Sequence, residues 1–307
     1  MSATAAFSED LVALFPGQGS VGAGSGRAWR RARHWDVVTR VSDSTGVDVA
    51  YLLIDAVESE VVRTDHAQLA TFALSLVGYY ELTEHGVRPR YLVGHSLGEY
   101  SALVASGLLT LEEGARLIGA RGAAMERAAA THDGSMVALM GGESSARDEV
   151  AKLEGVWIAN INGPGQVVVS GSRDALAPVL ARHRELGWRR ATELAVGGAF
   201  HSPLMAPAQA ELDRALATCT WGTTDQVVIS NVDGRVHVAP TEWRDLLSRQ
   251  LTSPIEFFDV TLALPARVTR SVEVPPGAVL SGLVRRIRPF EHQYAPSNPE
   301  ECGEVTP

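Results

Sequence analysis

Cysteine is scarce in this chain. Cys219 and Cys302 are the only two, too few and too far apart for a disulfide framework or a thiolate metal site, so a reducing, cytoplasmic setting without a bound metal is expected. Long apolar runs are missing as well. No uninterrupted hydrophobic stretch reaches the roughly 20 residues that cross a bilayer. The N-terminal MSATAAFSEDLVALF has no Lys or Arg before Arg27 and no long apolar segment, so neither a signal peptide nor a membrane span is expected. Positive charge is in deficit: 27 Lys and Arg against 36 Asp and Glu leave −9 at pH 7, which repels a phosphate backbone and argues against nucleic-acid binding. No period of about 20–50 residues repeats, which argues against a solenoid. What is present is ordinary globular material: 307 residues, 45% hydrophobic, 21% charged, mean hydropathy +0.02, enough for about two domain-sized units and a sizeable core.

Asp10–Phe15 (DLVALF) reads as a buried strand stopped by Pro16-Gly17, and the loop from Gly17 to Gly26 carries five glycines. A helix is predicted over Gln68–Glu84, a second short strand over Tyr91–Gly94, and helices over Glu99–Gly107 and Thr110–Ala130. The pattern then changes. Residues 135–140, 146–153, 156–161, 166–170, 173–186 and 189–194 alternate as β, α, β, β, α, β, the order of a ferredoxin-like unit of roughly 60 residues. We therefore expect an α/β protein in which a catalytic domain of residues 1–132 and 196–307 is interrupted by a ferredoxin-like subdomain of residues 133–195. A helix near 202–217, strands near 226–231 and 278–280, and a fraying polar tail over 296–307 complete the prediction.

Gly94-His95-Ser96-Leu97-Gly98 is G-x-S-x-G between a strand and a helix, the context of a nucleophile elbow, where a tight turn lifts the serine hydroxyl and aims the next N–H at an oxyanion. A serine needs a base. Of nine histidines, His34, His66, His85, His132, His183, His237 and His292 sit in polar or helical surroundings and read as surface or packing residues. His95 is expected to point away from Ser96, whereas His201 follows a Gly-rich turn into a helix, where a side chain can project into a cleft. Gly17-Gln18-Gly19-Ser20-Val21-Gly22 formally fits the dinucleotide fingerprint G-x-G-x-x-G. Pro16 and the glycines at 24 and 26 spoil it, and no acid-ended strand follows about 20 residues on. The alternative is that the Gln18 N–H lines an anion or oxyanion site.

Together, Phe15-Pro16-Gly17-Gln18-Gly19, GHSLGEYSAL from Gly94, Arg121-Gly122, NGPGQVVVSG from Asn162 and Ala199-Phe200-His201-Ser202-Pro203 resemble the malonyl-CoA:acyl carrier protein transacylases of fatty-acid synthesis and the discrete acyltransferases of polyketide synthesis. The resemblance runs from about residue 10 to 290 and implies an α/β-hydrolase-like large domain with the inserted ferredoxin-like subdomain, the site lying between them. It implies Ser96 as nucleophile, His201 as base, the N–H groups of Gln18 and Leu97 as oxyanion hole, and Arg121 as a bidentate partner for the malonyl carboxylate. Gln250 would position the histidine. Gln68 resembles another active-site glutamine, although the Pro that usually follows is Leu69 here. Leu97 and Phe200 resemble a malonyl-selective pattern, while Gly198 departs from the His of modular synthases.

The partners so implied are malonyl-CoA, as substrate with no resident cofactor, and a phosphopantetheinylated acyl carrier protein; a monomer is favoured. Because both partners are acidic, Arg285, Arg286 and Arg288, with Arg189 and Arg190, are the candidate docking cations. A hydrolase clearing acyl groups from carriers, a transferase of an unusual acyl group, and an idle partner protein of the same fold are the alternatives. The presence of Ser96, His201, Gln18 and Arg121 together argues against the last.

Overall fold

The computed structural model describes residues 6–305; the first five residues of the N-terminal reading and the last two of the tail lie outside it. In chain order the elements are β1 (Ser8–Phe15), α1 (Asp36–Thr45), α2 (Val49–Ile54), α3 (Glu58–Val61), α4 (Thr64–Glu84), β2 (Pro89–Gly94), α5 (Leu97–Ala105), α6 (Leu111–Ala130) and β3 (Gly134–Met140). Then come α7 (Ser144–Val150), β4 (Val156–Gly163), β5 (Gln166–Ser172), α8 (Arg173–Arg182), β6 (Arg190–Glu193), α9 (Ala206–Ala217) and β7 (Val227–Val228). The chain closes with α10 (Pro240–Gln250), α11 (Phe257–Leu262), β8 (Arg270–Glu273), α12 (Val279–Ile287), β9 (His292–Tyr294) and α13 (Pro299–Cys302).

Two sheets organise these elements. The first is parallel, in the order β7-β2-β1-β8-β9. A central parallel strand is covered on both faces and so carries no polar alternation, which is why DLVALF reads as one apolar run. Leu11, Ala13 and Phe15 face the main core, while Val12 and Leu14 face a second cluster with Phe257, Val260, Leu280 and Val284. Helix α4 is buried along most of its length, enclosed by other helices; Gln68 is one of five polar side chains buried on it, with Thr64, Thr71, Ser75 and Glu81.

The second sheet is antiparallel, ordered β4-β5-β3-β6, the strand order of a ferredoxin-like unit. Its side chains alternate between two jobs. Val137, Leu139, Val167 and Val169 pack with Leu176 and Val179 in a local core under α7 and α8, whereas Met136, Ala138 and Val168 point the other way and join the main core. That second face closes one side of a cleft. The two units are stitched by backbone bonds from Ile161 N–H to the Ile255 carbonyl (2.9 Å) and from Ile255 N–H to the Ala159 carbonyl (2.9 Å).

Three expectations need correction. The segment 278–280 is not a strand but the start of α12, because Leu280, Leu283 and Val284 recur at helical spacing and all are buried; the strand beside β1 is β8. The strand expected over 226–231 is only Val227–Val228. The tail does not fray through 305: Asn298 caps α13, and Cys302 and Val305 are buried in the main core. No helix among the described residues is long and apolar enough to cross a membrane.

Candidate active site

Between β2 and α5 only His95 and Ser96 make the turn, and Ser96 takes φ 53°, ψ −108°, a conformation that costs a non-glycine residue of order 1–3 kcal/mol and persists only where its surroundings enforce it. Two glycines allow the turn. A Cβ on Gly94 would lie 2.1 Å from the Glu99 nitrogen, and one on Gly98 1.9 Å from the Phe15 carbonyl oxygen. The bare Gly98 lets the end of β1 rest against the elbow, where His95 N–H donates to the Phe15 carbonyl at 3.0 Å. Gly98→Ala must therefore push β1 and α5 apart, and a loss of about 3 kcal/mol is expected, measurable as a lower midpoint in urea unfolding.

This contact also brings the loop after β1 to Ser96. Gln18 opens a single 3₁₀ turn, Gln18–Ser20, as Leu97 opens α5, and the first N–H of such a turn has no acceptor within it. Among the described residues neither N–H has a protein acceptor, which leaves both free to hold an oxyanion. The Leu97 side chain itself is buried in the main core, so of the two residues in the malonyl-type pattern only Phe200 lines the cleft.

Ser96 Oγ lies 2.8 Å from His201 Nε2, and His201 Nδ1 lies 2.8 Å from the backbone carbonyl of Gln250. A carbonyl can only accept, so Nδ1 carries the proton and Nε2 is the free base. Burial, and after it the charge of Arg121, holds His201 well down, to about 3, with the Gln250 carbonyl acting in the opposite sense. The imidazole is thus neutral throughout the working range. His95 turns away as expected: its Nε2 is 2.9 Å from Asn162 Oδ1.

Arg121 projects from α6 and is fully buried. Its Nη2 donates to Ser96 Oγ and to Gln250 Oε1, each at 3.0 Å, and its Nη1 to Gln68 Oε1 at 2.7 Å, while its Cζ stands 5.4 Å from the Tyr100 ring centroid. A guanidinium only donates, so Ser96 accepts from Arg121 and directs its own proton to His201. Gln68 passes the chain on, donating to Gln18 Oε1 at 3.0 Å; with Leu69 in place of the family's proline, α4 runs unbroken through this position. Gln250 serves twice, its carbonyl holding His201 and its side-chain amide donating to the Ser96 carbonyl at 3.1 Å.

Two residues in this network had no role in the sequence reading. Glu99, fully buried, accepts from the Asn231 backbone N–H at 2.7 Å and from the Gln250 side-chain amide. Asn231 accepts from Ser96 N–H at 2.7 Å and donates to the Gly94 carbonyl at 2.8 Å. Glu99 had a signal, an acid inside the small, apolar helix after the elbow; Asn231 had none in its neighbourhood.

The cleft over Ser96 and His201 encloses about 330 Å³, with Gln18, Met125, Met136, Val168, Phe200 and Leu280 among its walls. Larger depressions of about 700 Å³ lie around Trp188 and Arg189, away from Ser96. The candidate docking arginines separate. Arg285 and Arg286 are exposed on α12, and Arg286 reaches Gln166, a residue of the cleft wall. Arg288 is not a free cation of that patch, since it donates to the carbonyls of Leu264, Pro265 and Val268. Arg189 and Arg190, though exposed, do not line the cleft. No group of three or more His, Cys, Asp or Glu among the described residues could hold a metal ion.

Comparison with known proteins gives the family and the fold. Residues 12–295 match the model of the acyl transferase domain. The malonyl CoA-acyl carrier protein transacylase of Bacillus subtilis (strain 168) is 35% identical over 298 residues, covering 94% of this chain and 93% of that protein. The crystal structure of the malonyl-CoA:acyl carrier protein transacylase of Xanthomonas oryzae pv. oryzae superposes with a TM-score of 0.91 at 36% identity, over 96% of each chain. A malonyl-transacylase in complex with its type II PKS acyl-carrier protein superposes at 0.89 with 31% identity, over 96% of this chain and 99% of that one. An elbow serine, a buried histidine and a match spanning nearly the whole length place this chain in the acyl transferase family, among the malonyl-CoA:acyl carrier protein transacylases.

Proposed function

We propose that this protein moves a malonyl group from CoA to the phosphopantetheine thiol of an acyl carrier protein through an acyl-serine intermediate. One observation carries the reading: Ser96 Oγ is shared between the base His201, at 2.8 Å, and the buried cation Arg121, at 3.0 Å. In a malonyl ester of Ser96 the free carboxylate is one methylene beyond the ester carbon, which puts it within reach of that guanidinium.

In the first half-reaction His201 Nε2 takes the Ser96 proton as Oγ attacks the thioester carbon. The developing oxyanion is held by the N–H groups of Gln18 and Leu97, and the C–S bond then breaks as CoA leaves with the proton from His201. In the second, the carrier thiol gives its proton to His201, its sulfur attacks the ester carbon, and the bond from that carbon to Ser96 Oγ breaks as His201 returns the proton to Oγ. Arg121 holds the carboxylate through both halves, presenting a fork that a lysine does not reproduce. Exposed Arg285 and Arg286, on the helix whose Leu280 and Leu283 line the cleft, supply local positive charge for the acidic carrier and the CoA phosphates. CoA enters as substrate, and the proposed steps use no resident cofactor.

Intact-mass spectrometry after brief incubation with malonyl-, methylmalonyl- or acetyl-CoA, without and then with a holo carrier protein, tests the proposal. The expected result is a malonyl adduct that moves to the carrier. CoA release without transfer would make the protein a hydrolase, and the absence of both an adduct and CoA release would overturn malonyl transfer.

A further inference from the structure

The transfer steps leave one buried ionisable group unused. Glu99 is fully buried on α5, one turn beyond Ser96. The groups facing it come from three other elements: the Arg121 guanidinium on α6, the Asn231 N–H and more distant Asp233 in the segment after β7, and the Gln250 side-chain amide on α10. Tyr100 is its neighbour on α5.

We propose that the ionised Glu99 carboxylate is a positioning residue for acyl transfer, holding the Gln250 amide and the Asn231 backbone so that serine, histidine and arginine share one geometry, and that protonating it releases them. The proposal rests on the acyl-serine reading above. An ionised carboxylate only accepts, and Glu99 meets two donors. The Gln250 NH₂ donates both to Glu99 and, at 3.1 Å, to the Ser96 carbonyl, while its Oε1 accepts from Arg121 Nη2 at 3.0 Å, so this one amide ties the carboxylate to the serine and the arginine. The same Gln250 supplies the carbonyl that holds His201 Nδ1, and Asn231, fixed through its own N–H, accepts from Ser96 N–H at 2.7 Å. Protonation turns one Glu99 oxygen into a donor facing a donor, loosens the carboxylate's hold on the Gln250 amide and the Asn231 backbone, and removes the buried counter-charge of Arg121.

The charge changes in an accessible range, because burial pushes Glu99 up to about 7, whereas His201 is held at about 3. The acidic limb of the activity profile therefore belongs to Glu99 and not to the catalytic histidine. Activity is present above pH 7 and is lost as the pH falls through it.

The test compares full-length wild type, Glu99→Gln and Glu99→Asp from pH 5.5 to 9. Two rates are read: malonyl loading of a holo carrier, and phosphonylation of Ser96 by a fluorophosphonate, which reports the nucleophile whatever its natural donor. Wild type is expected to gain about tenfold or more across pH 7 in both. Glu99→Gln, neutral throughout, is expected to run flat and about 10- to 100-fold below wild type at pH 8.5, the scale of a lost hydrogen bond to a charged group, and to converge with wild type at the acidic end. Glu99→Asp, which keeps the charge, should retain a limb at a shifted pH and recover part of the rate. A Glu99→Gln enzyme within about threefold of wild type at pH 8.5, or one that keeps the limb, overturns the proposal. If circular dichroism shows Glu99→Gln unfolded, Glu99→Asp decides, and an unmoved limb overturns it. A wild type that phosphonylates with the limb but never takes malonyl would refute the donor assignment and leave the role of Glu99 standing; normal loading with an unaltered limb in Glu99→Gln would do the reverse.

Discussion

Ser96→Ala is expected to lower malonyl loading of a carrier protein by about 10⁴-fold or more, the scale on which removal of a hydroxyl nucleophile acts when base and oxyanion donors remain. The substitution removes the atom on which two independent arrangements converge, the His201 base at 2.8 Å and the Arg121 cation at 3.0 Å, and no other hydroxyl in the network is so paired. The backbone around it is held by other groups: Asn231 grips the Ser96 N–H, and Gln250 the Ser96 carbonyl. The variant should therefore fold, and still bind malonyl-CoA through Arg121. Loading is followed by mass spectrometry of the carrier, with circular dichroism to show that the fold persists. A Ser96→Ala protein that loads its carrier at the wild-type rate would remove the acyl-serine mechanism.

Arg121→Ala is expected to cost malonyl transfer about 10²- to 10⁴-fold, the equivalent of two charge-assisted hydrogen bonds at about 1.5–3 kcal/mol each. Acetyl transfer is expected to stay within about tenfold of wild type or to rise. An acetyl group has no carboxylate to lose, and Arg121 is, after burial, the largest influence depressing His201, so removing the cation makes the imidazole a stronger base. The measurement belongs at pH 8.5, because Arg121 also helps to keep Glu99 ionised, and loss of the cation moves that carboxyl further up. The observable is the ratio of kcat/KM for malonyl-CoA to that for acetyl-CoA. An unchanged ratio would take Arg121 out of the acyl site.

Much of the fold was legible because its signals are local. A central parallel strand must be apolar on both faces, so DLVALF and YLVG announced themselves. A strand-turn-helix around G-x-S-x-G requires glycine where a Cβ would strike Phe15 or Glu99, and those glycines are in the sequence. The βαββαβ alternation placed the antiparallel sheet with only small errors at its ends. At the tail the deciding force lay at a distance, for it is held to 305 because Cys302 and Val305 pack into the main core; the expected strand at 278–280 is a helix because Leu280, Leu283 and Val284 recur at helical spacing on a buried face.

The site divides in the same way. The elbow around Ser96, the N–H at the start of α5 and, through the resemblance, the candidates Ser96, His201, Arg121, Gln68 and Gln250 are legible in the chain itself, since each stands in a short run whose chemistry can be read in place. It takes the packed chain to show that Arg121 touches Ser96 itself, that His201 carries its proton on Nδ1, that Arg288 is tied to backbone carbonyls rather than free on the surface, and that Glu99 and Asn231 belong to the network. The last of these depends on the contacts of Ser96 with Asn231 and of Glu99 with Gln250, between residues more than a hundred positions apart. Hydrogen-bond geometry at that separation is set by how the helices and sheets pack around the cleft, and no local spacing encodes it.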